Sequence, residues 1–461
     1  MMEEIQVVTI ANAFELVYES ILPYSDLTEL AKADESHFGQ KAAFWTTRYG
    51  FPKVVVCSSR PAEMLVNRIY ESHLQPTFIE PRRSTSSICA DLLRDESAVR
   101  MLFSILDRNK RVFLAPYVHT SGYEALAKFL FESGYNLVDY RDQAQLVKRL
   151  WSKTETQRHV FDAVDILKSH RPKSIEADTN DSLVNGIAQF ARSGIMNVVV
   201  KSASAVGGSG VFYVRANEVS KDMPPREFLM SSGQNEPIRS APFIIEEQVH
   251  WDVSPTVDLD ISAKGEIDFV GVALQRLHNR RYYNGFYSSP QLEQQWWFEK
   301  VESLAEAVGL RLFELGYTGP ANVDFVASTK DRQVTLIEVN PRRSALIDGY
   351  GIRDLRGASD EWVSVSATDY VNISSRFDRL SNVFDLLSSS LVRTDETLLV
   401  SDGGFSTSYR WVGLLTIGRY PADSEDILTE LVSKLQDPKR DETGSAVGQT
   451  RRYSRIDEEV G

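Results

Sequence analysis

The stretch that most constrains the fold is a strand, a glycine-rich loop and a second strand between residues 198 and 214. Three valines at 198–200 predict a buried strand that ends at Lys201. Glycines at 207, 208 and 210 follow, and Val211 begins the next strand. A Walker loop and a dinucleotide-binding loop both need a helix after their glycines, so this order argues against both.

A glycine loop that joins two strands can instead fold over phosphate groups. Glycine lets backbone N–H groups approach an anion and point at it, and a lysine at the strand end adds a positive charge. The alternative is an ordinary hairpin with a loose turn, and the loop alone does not decide between the two. The residues that we expect to contact phosphate are Lys201, Ser204, Gly207, Gly208, Ser209 and Gly210.

A second pair of strands predicts a group of oxygen ligands. Residues 322–326 and 336–340 flank a polar turn, which predicts an antiparallel hairpin. Alternation along the strands puts Asp324, Glu338 and Asn340 on one side. Two carboxylates and a carboxamide suit Mg²⁺ and leave room for phosphate oxygens and water. A solvated polar face would explain Asp324, but it fits Glu338 and Asn340 poorly because their strand is strongly apolar.

The order of lysine, glycine loop, acidic hinge and Asp…Glu-x-Asn resembles the ATP-grasp superfamily, over residues 151–343. The resemblance implies an α+β core whose two lobes clamp ATP. It implies a ligase that activates a carboxylate as an acyl phosphate, which an amine then attacks, with release of ADP and phosphate. The implied cofactors are ATP and one or two Mg²⁺ ions, for which Mn²⁺ can substitute.

The resemblance also assigns nucleotide contacts outside the glycine loop. Lys153 stands beside a predicted helix N-terminus, where the dipole favours an anion, and it matches a lysine that contacts phosphate. The apolar strand that runs into Glu246 and Glu247 resembles the hinge. In the family, the hinge backbone around Val249 reads adenine and an acid further on binds ribose. Asp252 occupies about that place, but which of the three acids binds ribose stays open.

Two groups of arginines are candidates for the chemistry. Arg342 and Arg343 match a basic residue near the transferring phosphoryl group, where a guanidinium stabilises charge on oxygen, as Lys201 also could. The resemblance does not choose between the two arginines. A loop predicted at 275–285 could receive a carboxylate substrate, although a basic surface loop explains it equally well. Its candidate residues are Arg276, Arg280, Arg281 and Tyr283.

The rest of the chain predicts three further segments. Strands alternate with helices over residues 1–150, which predicts an α/β domain with a parallel sheet. Residues 54–61 resemble the domain that precedes the core in pheganomycin-type peptide ligases, which implies amino acids or peptides as substrates. The core is expected at 151–352, with the glycine-loop lobe at about 171–249. A small α+β cap at 353–437 and a polar, disordered tail at 438–461 follow.

Charge and composition limit the partners. The net charge of −13 argues against nucleic acid and anionic membranes. No run of about 18 apolar residues predicts a membrane span, and two cysteines fit a reducing cytoplasm. The resemblance to the ATP-grasp superfamily implies small-molecule carboxylate and amine substrates, and a homodimer stays open. The rival functions are biotin-carboxylase-like or carboxylate–thiol ligase chemistry, and a nucleotide sensor without turnover.

Overall fold

A parallel sheet and two antiparallel sheets, with helices packed on them, make up the computed structural model. This arrangement confirms the coarse prediction of a mixed α/β fold that contains a parallel sheet. Among the described residues, no helix combines the length and apolar character needed to cross a membrane. The structure describes residues 5–16, 29–70, 74–203, 210–219, 242–278, 280–355, 364–389, 396–402, 405, 410–418 and 421–436.

The N-terminal sheet is parallel, with strands in the order β3-β2-β1-β4-β5. Parallel neighbours need crossover connections, and helices covering both faces explain why Val54, Val55 and Val56 are all buried. Its strands are β1 Ile5–Ile10, β2 Val54–Val56, β3 Thr77–Ile79, β4 Arg111–Pro116 and β5 Asn136–Leu137. Its helices are α1 Glu29–Lys41, α2 Glu63–Ile69, α3 Ile88–Arg94, α4 Glu96–Ile105, α5 Ser121–Glu132 and α6 Ala144–Leu150.

A small antiparallel sheet forms the lobe that carries the glycine loop, in the order β6-β9-β7-β8. Helix α9, Asn180–Arg192, covers it and begins at a capping box formed by Thr179 and Ser182. Two short helices, α7 Lys153–Thr156 and α8 Asp165–Ser169, lead into this lobe. Its strands are β6 Ser174–Ala177, β7 Asn197–Ser202, β8 Val211–Arg215 and β9 Phe243–Glu247.

The central sheet is antiparallel, in the order β14-β13-β10-β11-β12-β15-β17-β16. Helix α10, Phe298–Glu314, buries its apolar face against one side, and α11, Ile347–Leu355, packs on the other through Tyr350 and Gly271. The strands are β10 Pro255–Ile261, β11 Ile267–His278, β12 Tyr282–Ser288, β13 Gly319–Ser328, β14 Gln333–Asn340, β15 Ser364–Asn372, β16 Glu396–Ser401 and β17 Trp411–Gly418.

The C-terminal segment is continuous with this sheet. Its strand β15 pairs with β12, so that β15, β17 and β16 extend the central sheet rather than forming a separate one in the described part of the chain. Helices α12, Leu380–Ser389, and α13, Pro421–Leu435, accompany them. The α+β content agrees with the predicted cap, but its strands are not independent of the core. The predicted tail at 438–461 lies outside the described residues.

Candidate nucleotide and metal site

A cleft opens where the glycine-loop lobe faces the end of the β13–β14 hairpin. Lys153, Lys201 and Glu338, which the sequence analysis placed in one site from three separate stretches, all line it. The cleft therefore brings together the two lysines and two of the three proposed metal ligands, Glu338 and Asn340. Its lining residues are Leu150, Trp151, Lys153, Thr156, Phe161, Arg171, Lys201, Ile244, Glu246, Ile337, Glu338, Val339, Asn340 and Pro341.

On the lobe side, Lys201 near the end of β7 pairs with Glu246 on β9. The Lys201 Nζ atom lies 2.5 Å from Glu246 Oε2, and Arg171 donates to the other carboxylate oxygen. Burial raises the pKa of Glu246, but the two cations more than offset it, so this pKa lies below its ordinary value. Glu246 is 2% exposed and held by both cations, which argues against a role as a ribose ligand.

The other predicted hinge residues are placed differently. Glu247 follows Glu246 on β9 and therefore points to the opposite face of the small sheet. Val249 is half-buried just beyond the strand. Asp252 accepts hydrogen bonds from the backbone N–H and the hydroxyl of Thr329, at 2.7 and 2.6 Å, and so anchors the turn of the β13–β14 hairpin. This engagement argues against Asp252 as a ribose ligand.

Lys153 is fixed at the first residue of α7. Its backbone N–H donates to the Ala203 carbonyl over 2.9 Å, next to the start of the glycine loop, and its Nζ lies 2.7 Å from Glu338 Oε1. Lys153 therefore links Ala203, which follows β7, to Glu338 on β14. Gly210 has a φ of 65°, a left-handed conformation that favours glycine, and its carbonyl accepts from the Ser202 N–H at 2.8 Å. Ser204, Gly207, Gly208 and Ser209 lie outside the described residues.

The hairpin has the geometry that the sequence predicts. Asp324 pairs with Glu338, and Asn322 with Asn340, in the antiparallel register of β13 and β14. The Asn340 Nδ2 group donates to Asp324 Oδ2 over 3.2 Å, and Thr256 donates to Asp324 Oδ1 over 2.8 Å. The three predicted metal ligands thus converge on one face of the central sheet.

The two carboxylates of the hairpin lie close enough for the charge of one to affect the other. Burial, then the nearby Glu338 charge, raises the pKa of Asp324 to about 7. The described residues contain no group of three His, Cys, Asp or Glu side chains arranged for a metal. Asp324, Glu338 and Asn340 supply oxygen donors but cannot complete a coordination shell, which fits Mg²⁺ sharing its shell with phosphate and water.

The structure shows which of the two arginines lies beside the candidate metal ligands, a choice that the sequence does not make. Arg342 donates from Nη2 to Asn340 Oδ1 over 3.2 Å, and its guanidinium lies 5.8 Å from the centre of the Trp151 ring. Arg343 points away and is 5% exposed. Its Nε donates to the Pro116 carbonyl over 3.1 Å, and so it joins the core to the N-terminal domain. Arg342 is therefore the arginine at the site, and Arg343 is a packing residue.

The prediction of a loop at residues 275–285 is wrong, because residues 275–278 belong to strand β11 and residues 282–285 to strand β12. Arg276 donates to Ser366 and Thr368 on β15 and pairs with Glu425 on α13 at 2.6 Å. These partners give Arg276 a structural role.

The other candidates of that loop are dispersed. Arg280 stacks on Trp251, 4.4 Å from the ring centre, and Arg281 lies over Tyr282 at 3.9 Å. Tyr283 on β12 has a buried hydroxyl, and burial raises its pKa. The structure does not bring these side chains together into one carboxylate pocket.

Sequence reasoning missed three residues of the site. Arg171 holds Glu246 and also donates to the Leu336 carbonyl over 2.7 Å, which ties the lobe to β14. Gln275 on β11 donates to Asp324. No motif marks either residue. The third residue is Tyr117, whose hydroxyl accepts a hydrogen bond from Arg342. Tyr117 directly follows β4 at the carboxyl edge of the parallel sheet, where ligand-binding residues are often found, so its position could have identified it.

Comparison with solved structures found chains that share this architecture. An N5-carboxyaminoimidazole ribonucleotide synthetase solved with ADP has a TM-score of 0.52 at 13% identity, over 94% of this chain and 99% of that chain. The Aspergillus clavatus carboxyaminoimidazole ribonucleotide synthase solved with ATP has a TM-score of 0.51 at 14% identity, over 94% and 100%. A Campylobacter jejuni biotin carboxylase in an ATP complex has a TM-score of 0.51 at 12% identity, over 94% and 91%.

At such identities the likeness shows the fold alone, which this chain shares with the carboxyaminoimidazole ribonucleotide synthases and the biotin carboxylase. The agreement extends over nearly the whole of each chain, so the domain before the core and the strands after it are part of the likeness. No family model matches the sequence, and no curated protein matches it. The narrower resemblance to pheganomycin-type ligases stays a prediction.

Proposed function

We propose that this chain is an ATP-dependent carboxylate–amine ligase. The observation that supports the proposal is the Lys153–Glu338 contact of 2.7 Å, because the resemblance assigns Lys153 to phosphate and Glu338 to a metal ion. Lys201 lines the same cleft. Fold likeness alone does not define an activity, and the proposal therefore depends on this constellation.

In the proposed enzyme, ATP lies in the cleft with its phosphates on Lys153, Lys201 and the loop at 204–210. Asp324, Glu338 and Asn340 would hold Mg²⁺, which offsets the charge that develops on phosphate oxygens. The Arg342 guanidinium, beside Asn340, is placed to stabilise the transferring phosphoryl group.

The proposed chemistry has two steps. A substrate carboxylate oxygen attacks the γ-phosphorus, the bond to the β-phosphate oxygen breaks, and ADP leaves. The amine nitrogen then attacks the carbonyl carbon of the acyl phosphate and displaces phosphate, with loss of a proton. The resemblance of residues 54–61 to the peptide ligases favours amino acids or peptides as substrates.

A second candidate is biotin-carboxylase-like chemistry, in which bicarbonate is the carboxylate that is activated. It is favoured by the likeness to a biotin carboxylase and to carboxyaminoimidazole ribonucleotide synthetases at almost equal TM-scores. Both candidates begin with the same attack on ATP, so the cleft does not separate them.

The test is incubation of the full chain with Mg-ATP and pooled amino acids and small carboxylic acids, with or without bicarbonate. ADP and phosphate are measured, and new amides are sought by mass spectrometry. An amide formed with ADP supports the peptide ligase, and ADP release that requires bicarbonate supports the second candidate. AMP with pyrophosphate would contradict both. Glu338→Gln, which keeps the shape of the side chain, serves as the inactive control.

A further inference from the structure

The ion pair between Lys153 and Glu338 joins side chains that the proposed function assigns to different ligands. Their charged atoms lie 2.7 Å apart, and the side chains are only 15% and 33% exposed. Lys153 is proposed for phosphate and Glu338 for the metal ion. A divalent ion bonded to the same oxygen, at about 2.1 Å, would lie close to the ammonium and be repelled by it.

The neighbouring carboxylate in the cleft is held differently. Glu246 is paired with both Arg171 and Lys201, so it keeps one cation when Lys201 turns toward phosphate. Among the residues that the structure describes, the Lys153 ammonium is the only side-chain cation within 4 Å of the Glu338 carboxylate. If Lys153 moved to phosphate and nothing replaced it, the Glu338 carboxylate would lose its nearest cation, which is unfavourable.

We propose that Lys153 and the metal ion exchange on Glu338 when nucleotide binds. The phosphates draw the ammonium away, and the metal replaces it on the carboxylate. The inference rests on the proposed function, because it requires Glu338 to be a metal ligand. It predicts an order of events, in which Lys153 keeps the metal affinity low until nucleotide is present.

The backbone supports a link between nucleotide and Lys153. The Lys153 N–H donates to the carbonyl of Ala203, the residue directly before the predicted phosphate loop, over 2.9 Å. The Lys153 backbone is therefore fixed beside the segment that is proposed for phosphate, while its side chain pairs with Glu338.

The experiment is a titration of the full chain with Mn²⁺ in the absence of nucleotide, with the free ion followed by electron paramagnetic resonance. Lys153→Met removes the competing ammonium, and we expect Mn²⁺ to bind about tenfold more tightly than to wild type. Lys148→Met is the matched control, since Lys148 is exposed on α6 and its loss changes the net charge equally. The gain should disappear in Lys153→Met/Glu338→Gln.

Equal Mn²⁺ affinities of Lys153→Met and Lys148→Met would overturn the inference, as would a gain that survives Glu338→Gln. Lys153→Gln gives the same comparison if thermal unfolding shows that Lys153→Met is not folded. Repeating the titration with a non-hydrolysable ATP analogue distinguishes failure of the exchange from failure of the proposed metal site. If wild type binds Mn²⁺ with the analogue, but Lys153→Met shows no gain in affinity without it, the exchange alone is contradicted. No Mn²⁺ held by any protein under either condition contradicts the proposed metal site as well.

Discussion

Arg342 donates a hydrogen bond from Nη1 to the hydroxyl of Tyr117 over 3.0 Å. The guanidinium also lies 5.5 Å from the centre of the Tyr117 ring, and the Tyr117 carbonyl accepts from the Arg343 N–H at 3.0 Å. Because Tyr117 follows strand β4, the N-terminal domain directly fixes the arginine that lies beside Asn340. The domain before the core thus helps to build the candidate active site.

The first prediction separates the two arginines. We predict that Arg342→Lys lowers kcat by about 100-fold, because a lysine cannot present two donors to phosphoryl oxygens in one plane. Arg343→Lys should instead destabilise the fold by about 1–3 kcal/mol, since the buried carbonyls of Pro116 and Thr46 lose a donor. ADP release and thermal unfolding measure the two effects, and the opposite pattern would make Arg343 the catalytic arginine.

The second prediction concerns Tyr117 as a positioning residue. Tyr117→Phe removes the acceptor that holds Arg342 but keeps the ring, and we predict a kcat reduced by about 5- to 10-fold with little change in KM for ATP. Tyr123→Phe is the matched control, because the Tyr123 hydroxyl bonds Leu114 inside the same domain, away from Arg342. Equal effects of both variants on kcat would show that Tyr117 acts only through stability.

The third prediction tests whether Arg276 holds the fold or the substrate. Arg276 pairs with Glu425 at 2.6 Å, and Glu425 is 46% exposed. We predict that Arg276→Gln and Glu425→Gln leave KM for the substrates unchanged and show a coupling of about 0.5–1 kcal/mol in a double-mutant cycle of unfolding free energy. A manyfold rise in KM with Arg276→Gln, but not with Glu425→Gln, would restore the substrate role.

The fourth prediction is a dependence of stability on pH that arises from His119. Burial, then the charge of Arg343, lowers the pKa of His119 to about 3. The Gln143 amide contacts His119 Nε2 at 2.9 Å while it donates to the Thr318 carbonyl, so Nε2 must act as an acceptor and remain unprotonated.

The sign of this effect follows from proton binding. Between about pH 6.5 and 3, the unfolded chain holds a proton on His119 that the folded chain does not. The free energy of unfolding therefore falls as the pH falls through this window, by at most about 1.4 kcal/mol per pH unit. We predict that His119→Gln has a shallower acid dependence than wild type in urea unfolding from pH 7 to 4.5. Parallel curves would contradict the assignment.

The sequence predicts the hairpin of the site well, because strand alternation is local. Asp324 and Glu338 face each other as their spacing indicates, and Lys201 lies one residue before the end of its strand, close to the predicted end. The choice between Arg342 and Arg343 could not be made from sequence, since the carbonyl that binds Arg343 lies 227 residues away along the chain.

The misassigned loop and the pairing of the C-terminal strands have the same physical origin. The sequence predicts a loop at residues 282–285, yet strand β12 forms because it pairs with β11 and, through Gly285, with Thr368 on β15. Such pairing depends on tertiary partners more than on local propensity. The same long-range pairing joins the C-terminal strands to the central sheet, where the strand and helix patterns predict a small α+β cap.

The central claim is that nucleotide and metal share one cleft through Lys201 and Glu338, and calorimetric titration with a non-hydrolysable ATP analogue tests it most directly. We predict one site per chain in wild type, with affinity that depends on Mg²⁺. Lys201→Met should weaken binding at least about tenfold, and Glu338→Gln should abolish the Mg²⁺ dependence. No binding by wild type, or equal Mg²⁺-dependent binding by all three proteins, would contradict the account.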